Sequence, residues 1–223
     1  MIFASDNWAG ASERIIAAFA AAAKRGGPAY GGDGLSTAVE ERFSEVFEHE
    51  VTVFLVASGT VANALALSAY ARPGGIVFAH RHAHILSDEA GAFEFFSGGN
   101  KIVAVEAEVG KLSPRALVAE LKRLPERQVH FGQAVAVSLT QITEFGAAYR
   151  PEEVATLAGI ARERGMAVHM DGARFAGAVA GLGLSPAALT WKAGVDVLSF
   201  GGTKNGCFAA EAVVFFNREH ARD

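Results

Sequence analysis

Three features of the sequence predict a three-layer α/β/α fold around a mainly parallel sheet. Short apolar runs alternate with helix-patterned segments between residues 51 and 200, the runs are mostly apolar and lack a regular polar alternation, and glycine punctuates the chain at fairly even intervals. Strands joined through helices run parallel, and a parallel sheet is covered on both faces, which is why its strands lack a polar side. With no internal repeat and no low-complexity linker, one continuous domain over 1–223 is the simplest organisation.

Taken in order, residues 12–24 read as a helix capped by Ser12 and stopped by Arg25-Gly26-Gly27. Thr37 and Glu40 have capping-box spacing ahead of Val39, Phe43, Val46 and Phe47, which recur on one helical face. VTVFLVA (51–57) is strand-like, 61–71 helix-like, and IVFA (76–79) is a second strand. The alternation continues through KIVAVEA (101–107), a helix over 114–124, AVAVSLT (134–140), a helix over 152–164, MAVHMD (166–171) and VDVLSF (195–200). The last apolar run, 212–216, differs. Only eleven residues separate it from Phe200, three of them glycine, which is short for a helical crossover and predicts an antiparallel neighbour.

Composition narrows the function classes. The chain has 223 residues, 51% hydrophobic and 20% charged, as a globular chain does. Twenty basic against 24 acidic residues give a net charge of -4, with no basic stripe for nucleic acid or anionic lipid. The single Cys207 rules out an intrachain disulfide and fits a reducing compartment. The N-terminus lacks a basic, signal-like region, and the apolar stretch 15–23 is too short to span a bilayer, so a cytoplasmic protein is expected.

Ligands of open α/β sheets gather beyond the carboxyl ends of the strands, and four such ends carry polar clusters. Ser58-Gly59-Thr60 opens a helix and reads either as an N-cap with a turn glycine or as a phosphate cup formed by backbone N–H groups. His80-Arg81-His82-Ala83-His84 places three histidines at alternate positions, open to readings as metal ligands, as an acid/base or stacking imidazole, or as buried polar groups. In His169-Met170-Asp171-Gly172-Ala173-Arg174, an aspartate at a buried strand end needs a cationic or protonated partner. Arg174 can be that partner. Alternatively Asp171 faces a protonated heterocycle and leaves Arg174 free to bind a carboxylate. Finally, Ser199-Phe200-Gly201-Gly202-Thr203-Lys204-Asn205-Gly206 sets a lysine in a glycine-rich turn. It lacks the spacing of a nucleotide-triphosphate loop, its glycines would let backbone approach a ligand, and its lysine is either solvated or a nucleophilic amine.

A lysine able to form a Schiff base, an aspartate for a pyridinium nitrogen and a helix start for a phosphate are the groups that pyridoxal 5'-phosphate requires. Through ASDN (4–7), PAYGGD (28–33), SGTVAN (58–63), HAH (82–84), SDEAGA (87–92), SLTQITEFG (138–146), HMDGARF (169–175) and FGGTKNG (200–206), the chain resembles the threonine aldolase branch of the β-eliminating lyases. These are pyridoxal-phosphate enzymes of fold type I. The resemblance implies an aspartate-aminotransferase-like large domain with an N-terminal arm over 1–223, followed in the family by a C-terminal small domain that this chain lacks. It implies cleavage of L-threonine, L-allo-threonine and related β-hydroxy-α-amino acids to glycine and an aldehyde. Lys204 is then the covalent anchor, and Thr203, Ser58, Gly59 and Thr60 hold the phosphate. Asp171 faces the pyridine nitrogen, His84 stacks on the ring and assists deprotonation, and Arg174 and Ser5 lie near the substrate carboxylate, Arg174 counting among the cofactor-binding residues as well. A homo-oligomer, a dimer of dimers with the active site at a dimer interface, is also implied. The competing readings are another lyase or an aminotransferase on the same cofactor, a non-catalytic module for an anionic metabolite, and a metal hydrolase built on HRHAH.

Overall fold

The computed structural model describes residues 4–125, 128 and 130–221. Its seven strands are β1 (Thr52–Val56), β2 (Gly75–His80), β3 (Lys101–Val105), β4 (Gln133–Thr140), β5 (Ala167–Gly172), β6 (Val197–Gly201) and β7 (Glu211–Phe215), each where an apolar run predicts one. They form one sheet in the order β1-β7-β6-β5-β4-β2-β3. The expected antiparallel strand is β7, which pairs antiparallel with both β6 and β1. Strand β1 therefore points the same way as β2 to β6 although it lies on the far edge.

Among the described residues nine helices accompany the sheet: α1 (Glu13–Ala23), α2 (Gly34–Phe47), α3 (Gly59–Ser68), α4 (His84–Ser87), α5 (Ala92–Phe96), α6 (Pro114–Lys122), α7 (Pro151–Glu163), α8 (Phe175–Leu182) and α9 (Pro186–Leu189). Alternate strand residues face opposite sides of a sheet, and the core divides accordingly. Phe78, Val168, Met170, Leu198 and Val214 pack with Phe47 of α2, Leu117 of α6, Leu157 of α7 and Phe175 of α8. Val77 and Ala79 pack on the other face with Leu67 of α3, Ile85 of α4 and Phe93 of α5, and Val197, Val213 and Phe215 with Ala62 and Ala66 of α3. The three layers follow from that split.

Helix caps show where local chemistry decides the boundaries. Ser12 caps α1 by accepting from Ile15 N–H, and Ser58 caps α3 by accepting from Val61 N–H. Thr37 and Glu40 do not start a helix. The α2 ladder begins a turn earlier, where the Asp33 carboxylate accepts from Leu35 N–H at 2.9 Å and Ser36 N–H at 3.1 Å, so Thr37 is interior. An ionised side chain capping two orphan N–H groups outcompetes the hydroxyl downstream.

The paired glycines after β6 serve the chain's own packing. A Cβ on Gly201 would sit 2.5 Å from Ala173 O and 2.6 Å from Ala173 Cα, and one on Gly202 would sit 2.6 Å from Ala210 O. Their missing side chains bring the lysine turn against the turn that follows Asp171.

Candidate active site

At the carboxyl edge of the sheet, the β1–α3, β5–α8 and β6–β7 connections surround a cavity of about 590 Å³. Ser58, Gly59, Thr60, His84, Asp171, Thr203 and Lys204 all line it, so the four strand-end clusters separated by up to 146 positions in sequence converge on one wall. Sheet register does much of this: Asp171 lies beside Thr140 of β4 and Ser199 of β6, close to where β6 gives way to the turn of Thr203–Asn205. Asn205 braces that turn by donating from Nδ2 to Gly201 O at 2.8 Å. Lys204 makes no ion pair among the described residues.

Asp171 is only 4% exposed. Its Oδ1 accepts from Ala173 N–H at 3.0 Å and its Oδ2 from Asn63 Nδ2 at 3.0 Å, with no ion pair among the described residues. Arg174, the local candidate for its counter-charge, turns elsewhere. Its Nε donates to Asp6 Oδ2 at 2.6 Å, its Nη2 to Asp6 Oδ1 at 3.3 Å and its Nη1 to Glu144 Oε2 at 3.3 Å. The hydrogen bond from Arg174 pulls the Asp6 carboxyl below its ordinary range. A buried carboxylate on a cavity wall with no ion-pair partner among the described residues is costly and invites a cationic guest.

His84 lies at the start of α4, its Nδ1 2.8 Å from Oε1 of Glu89. The Glu89 side chain is fully buried. Its hydrogen bond raises the imidazole pKa above the ordinary histidine value, against the opposing effect of burial. Asn63 Nδ2 donates to the same Glu89 oxygen at 2.8 Å. Sequence reasoning missed Glu89 and Asn63 as site residues, and also Glu211, whose Oε1 accepts from Thr203 N–H at 3.3 Å. The available signals were a polar residue within the apolar, buried face of α3 and an acid ahead of a turn glycine in SDEAGA.

Two expected groups stand off the wall. Ser5 uses its hydroxyl to accept from Asn7 N–H at 3.2 Å, capping the short Asp6–Trp8 turn, and Arg174 is held by Asp6 and Glu144. The histidines of HRHAH do not converge either. His80 Nε2 lies 2.9 Å from Ala107 O and its Nδ1 accepts from His82 N–H at 3.1 Å, while His84 pairs with Glu89. Among the described residues, no cluster of three His, Cys, Asp or Glu side chains is arranged to hold a metal ion.

A lysine, a buried acid and a helix start sharing one cavity at the carboxyl edge of such a sheet define a class, and the chain belongs to the β-eliminating lyase family, whose family model matches residues 3–223. Within that class its similarity is to threonine aldolases. It is 45% identical over 221 residues to the low specificity L-threonine aldolase of Pseudomonas aeruginosa, covering 99% of this chain and 63% of that protein. With the low specificity L-threonine aldolase of a Pseudomonas species it shares 44% over 221 residues, with the same coverages. A solved structure of Leishmania major threonine aldolase matches with a TM-score of 0.89 at 26% identity, covering 97% of this chain and 62% of that one. The chain thus spans about 63% of the length of the curated relatives it matches.

Proposed function

We propose that this chain forms the cofactor-binding large domain, with its N-terminal arm, of a pyridoxal 5'-phosphate-dependent aldehyde-lyase. The reaction is retro-aldol cleavage of L-threonine, L-allo-threonine and related β-hydroxy-α-amino acids to glycine and an aldehyde. The observation that carries this reading is the buried Asp171 carboxylate, without an ion-pair partner among the described residues, on the wall that also holds Lys204 and His84, in a chain whose relatives are named for threonine cleavage.

Three features fit the cofactor. Asp171 supplies a buried negative charge for a protonated ring nitrogen. A Cβ added at Gly59 would meet nothing within 4 Å, so the backbone at the start of α3 is open to a bulky anion. Lys204 has no ion pair to give up among the described residues. When bound, the cofactor supplies an electron sink for the charge left at Cα once Cα–Cβ breaks. Lys204 anchors it, while Ser58, Gly59 and Thr60, with Thr203, bind its phosphate. Asp171 keeps the ring-nitrogen proton in place. His84 accepts the proton from the substrate's β-hydroxyl, and the Glu89 carboxylate stabilises the imidazolium that results. Arg174 and Ser5 receive the substrate carboxylate, which must compete with Asp6 for the Arg174 guanidinium.

The assembly we read as a homo-oligomer, a dimer of dimers with the site at a dimer interface, in the cytoplasm. Supporting this, α1 buries none of its residues and exposes Ile16 and Phe19, and edge strand β1 exposes Phe54 and Leu55. Among the described residues no helix is long and apolar enough to cross a membrane.

Incubation with L-threonine and pyridoxal 5'-phosphate tests the reading. Acetaldehyde and glycine should form in equal amounts, and a Lys204→Ala variant should form neither. A keto acid in their place would assign another reaction to the same site.

A further inference from the structure

Glu89 is a buried carboxylate whose hydrogen bonds do more than offset charge on His84. Both of its hydrogen bonds converge on Oε1, one with Nδ1 of His84 and one from Nδ2 of Asn63, each at 2.8 Å. Its Oε2 is buried without a partner among the described residues. Asn63 then donates its second amide hydrogen to Oδ2 of Asp171 at 3.0 Å. Because both neighbours of that amide nitrogen are acceptors, the side chain cannot be turned the other way, and its Oδ1 is left buried without a partner among the described residues. A continuous path of three hydrogen bonds therefore runs from His84 through Glu89 and Asn63 to Asp171.

The chemistry of this path assigns the proton. A carboxylate with no exposed surface accepts hydrogen bonds and requires a donor at each close contact. The ring nitrogen of His84 facing it must therefore carry hydrogen, which leaves Nε2 as the lone-pair nitrogen. Among the described residues Nε2 has no protein partner, and His84 lines the cavity with its side chain 35% exposed. We propose that Glu89 is a positioning residue for His84, holding the proton on Nδ1 so that Nε2 is the base presented to the substrate's β-hydroxyl, and that Asn63 ties this arrangement to Asp171. The role of Nε2 rests on the aldolase reading above; the tautomer does not. When Nε2 takes the hydroxyl proton, no proton needs to leave Nδ1. The imidazolium is then bonded to Glu89 on one side and returns the proton from the other.

The groups that face His84 are Glu89, Asp171 and Lys204, and they set the expected titration. Glu89 and Asp171 favour the charged ring, whereas Lys204 and burial oppose it. Nitrogen-15 NMR on the histidine-labelled chain without cofactor, with His84 assigned through His84→Asn, measures tautomer and titration midpoint together. The wild-type chain should show the Nδ1–H tautomer above its midpoint, with that midpoint above the ordinary histidine value. In Glu89→Gln the midpoint should fall, and Glu89→Asp should recover part of the shift.

An Nε2–H tautomer in the wild-type chain overturns the proposal even if the variants fail to fold, as does a midpoint unmoved in folded Glu89→Gln. In the cofactor-loaded enzyme, Glu89→Gln should lower kcat about 10–100-fold, the usual scale for losing an orienting partner, with little change in KM and with cofactor absorption retained. A chain that shows the Nδ1–H tautomer but never binds pyridoxal phosphate would overturn the aldolase reading and leave the Glu89–His84 pairing intact.

Discussion

Replacing Gly201 by alanine tests whether the site is assembled by close backbone contact. The added Cβ would lie 2.5 Å from Ala173 O, 2.6 Å from Ala173 Cα and 2.8 Å from Ala173 C. These are backbone atoms, and the shortest carbon–carbon separation, 2.6 Å, is about 1 Å below the roughly 3.5 Å at which carbon atoms come into contact. The end of β6 and the turn after Asp171 must therefore move apart by about that distance. Overpacking of this kind costs roughly 1–3 kcal/mol. For a chain of this size that corresponds to a fall of about 2–12 °C in Tm. The same movement separates Lys204 from Asp171, so pyridoxal-phosphate affinity should fall as well. Gly159 in α7 is the control. A Cβ there meets nothing within 4 Å, and alanine should stabilise the helix by up to about 1 kcal/mol. Thermal unfolding followed by circular dichroism, with cofactor titration by absorbance, reads both. A Gly201→Ala chain that melts and binds like wild type would refute the reasoning, because the two turns would then not depend on each other.

Three further predictions concern single side chains. Asp171→Asn should lower aldehyde production by about 100-fold or more, the scale of losing one preorganised electrostatic partner, while borohydride labelling of Lys204 persists; full activity would remove Asp171 from its role. Tyr149, 1% exposed, accepts from Leu112 N–H at 2.6 Å, so Tyr149→Phe should cost about 1–3 kcal/mol in urea unfolding by leaving a buried donor unpaired; an unchanged midpoint would count against it. His169 sits between the Ser138 and Ser199 hydroxyls, and burial holds its pKa down at about 4, against an ordinary value of 6.5. The unfolded chain therefore binds more protons than the folded one within that window. Stability present above pH 6.5 is lost as pH falls toward 4, by about 3 kcal/mol at about 1.4 kcal/mol per pKa unit. His169→Asn should lose correspondingly less stability between pH 7 and pH 4, and an equal loss in the two chains would contradict the buried neutral imidazole.

The strands were legible because each is a continuous apolar run, and β7 because too few residues precede it for a helical crossover. Its place between β6 and β1 was not legible, since no local pattern tells which distant strand lies alongside. Helices α4, α5 and α9 have four or five residues, too few for a period to register, and α8 is built of glycine, alanine and large apolar residues whose pattern does not separate helix from strand. The Thr37–Glu40 spacing misled because Asp33 supplies a better cap four residues earlier.

The candidate site divides in the same way. Lysine, aspartate, histidine and helix start announce themselves by residue type at strand ends. The pairing of Asn63 with Glu89 and Asp171 spans 26 and 108 positions and exists only once α3 lies over β5. Likewise, the capture of Arg174 by Asp6 joins residues 168 apart. Residue type shows which groups are able to react, whereas the fold decides which of them are already occupied.

The central claim is that Lys204 is the covalent anchor of pyridoxal 5'-phosphate in a cavity shared with Asp171 and His84. Borohydride reduction of the chain incubated with pyridoxal 5'-phosphate, followed by proteolysis and peptide mass mapping, tests it most directly. The account predicts one stable cofactor adduct, located on the peptide containing Lys204 and lost in Lys204→Ala. Absence of an adduct, or an adduct confined to another lysine such as Lys111 or Lys192, would contradict it.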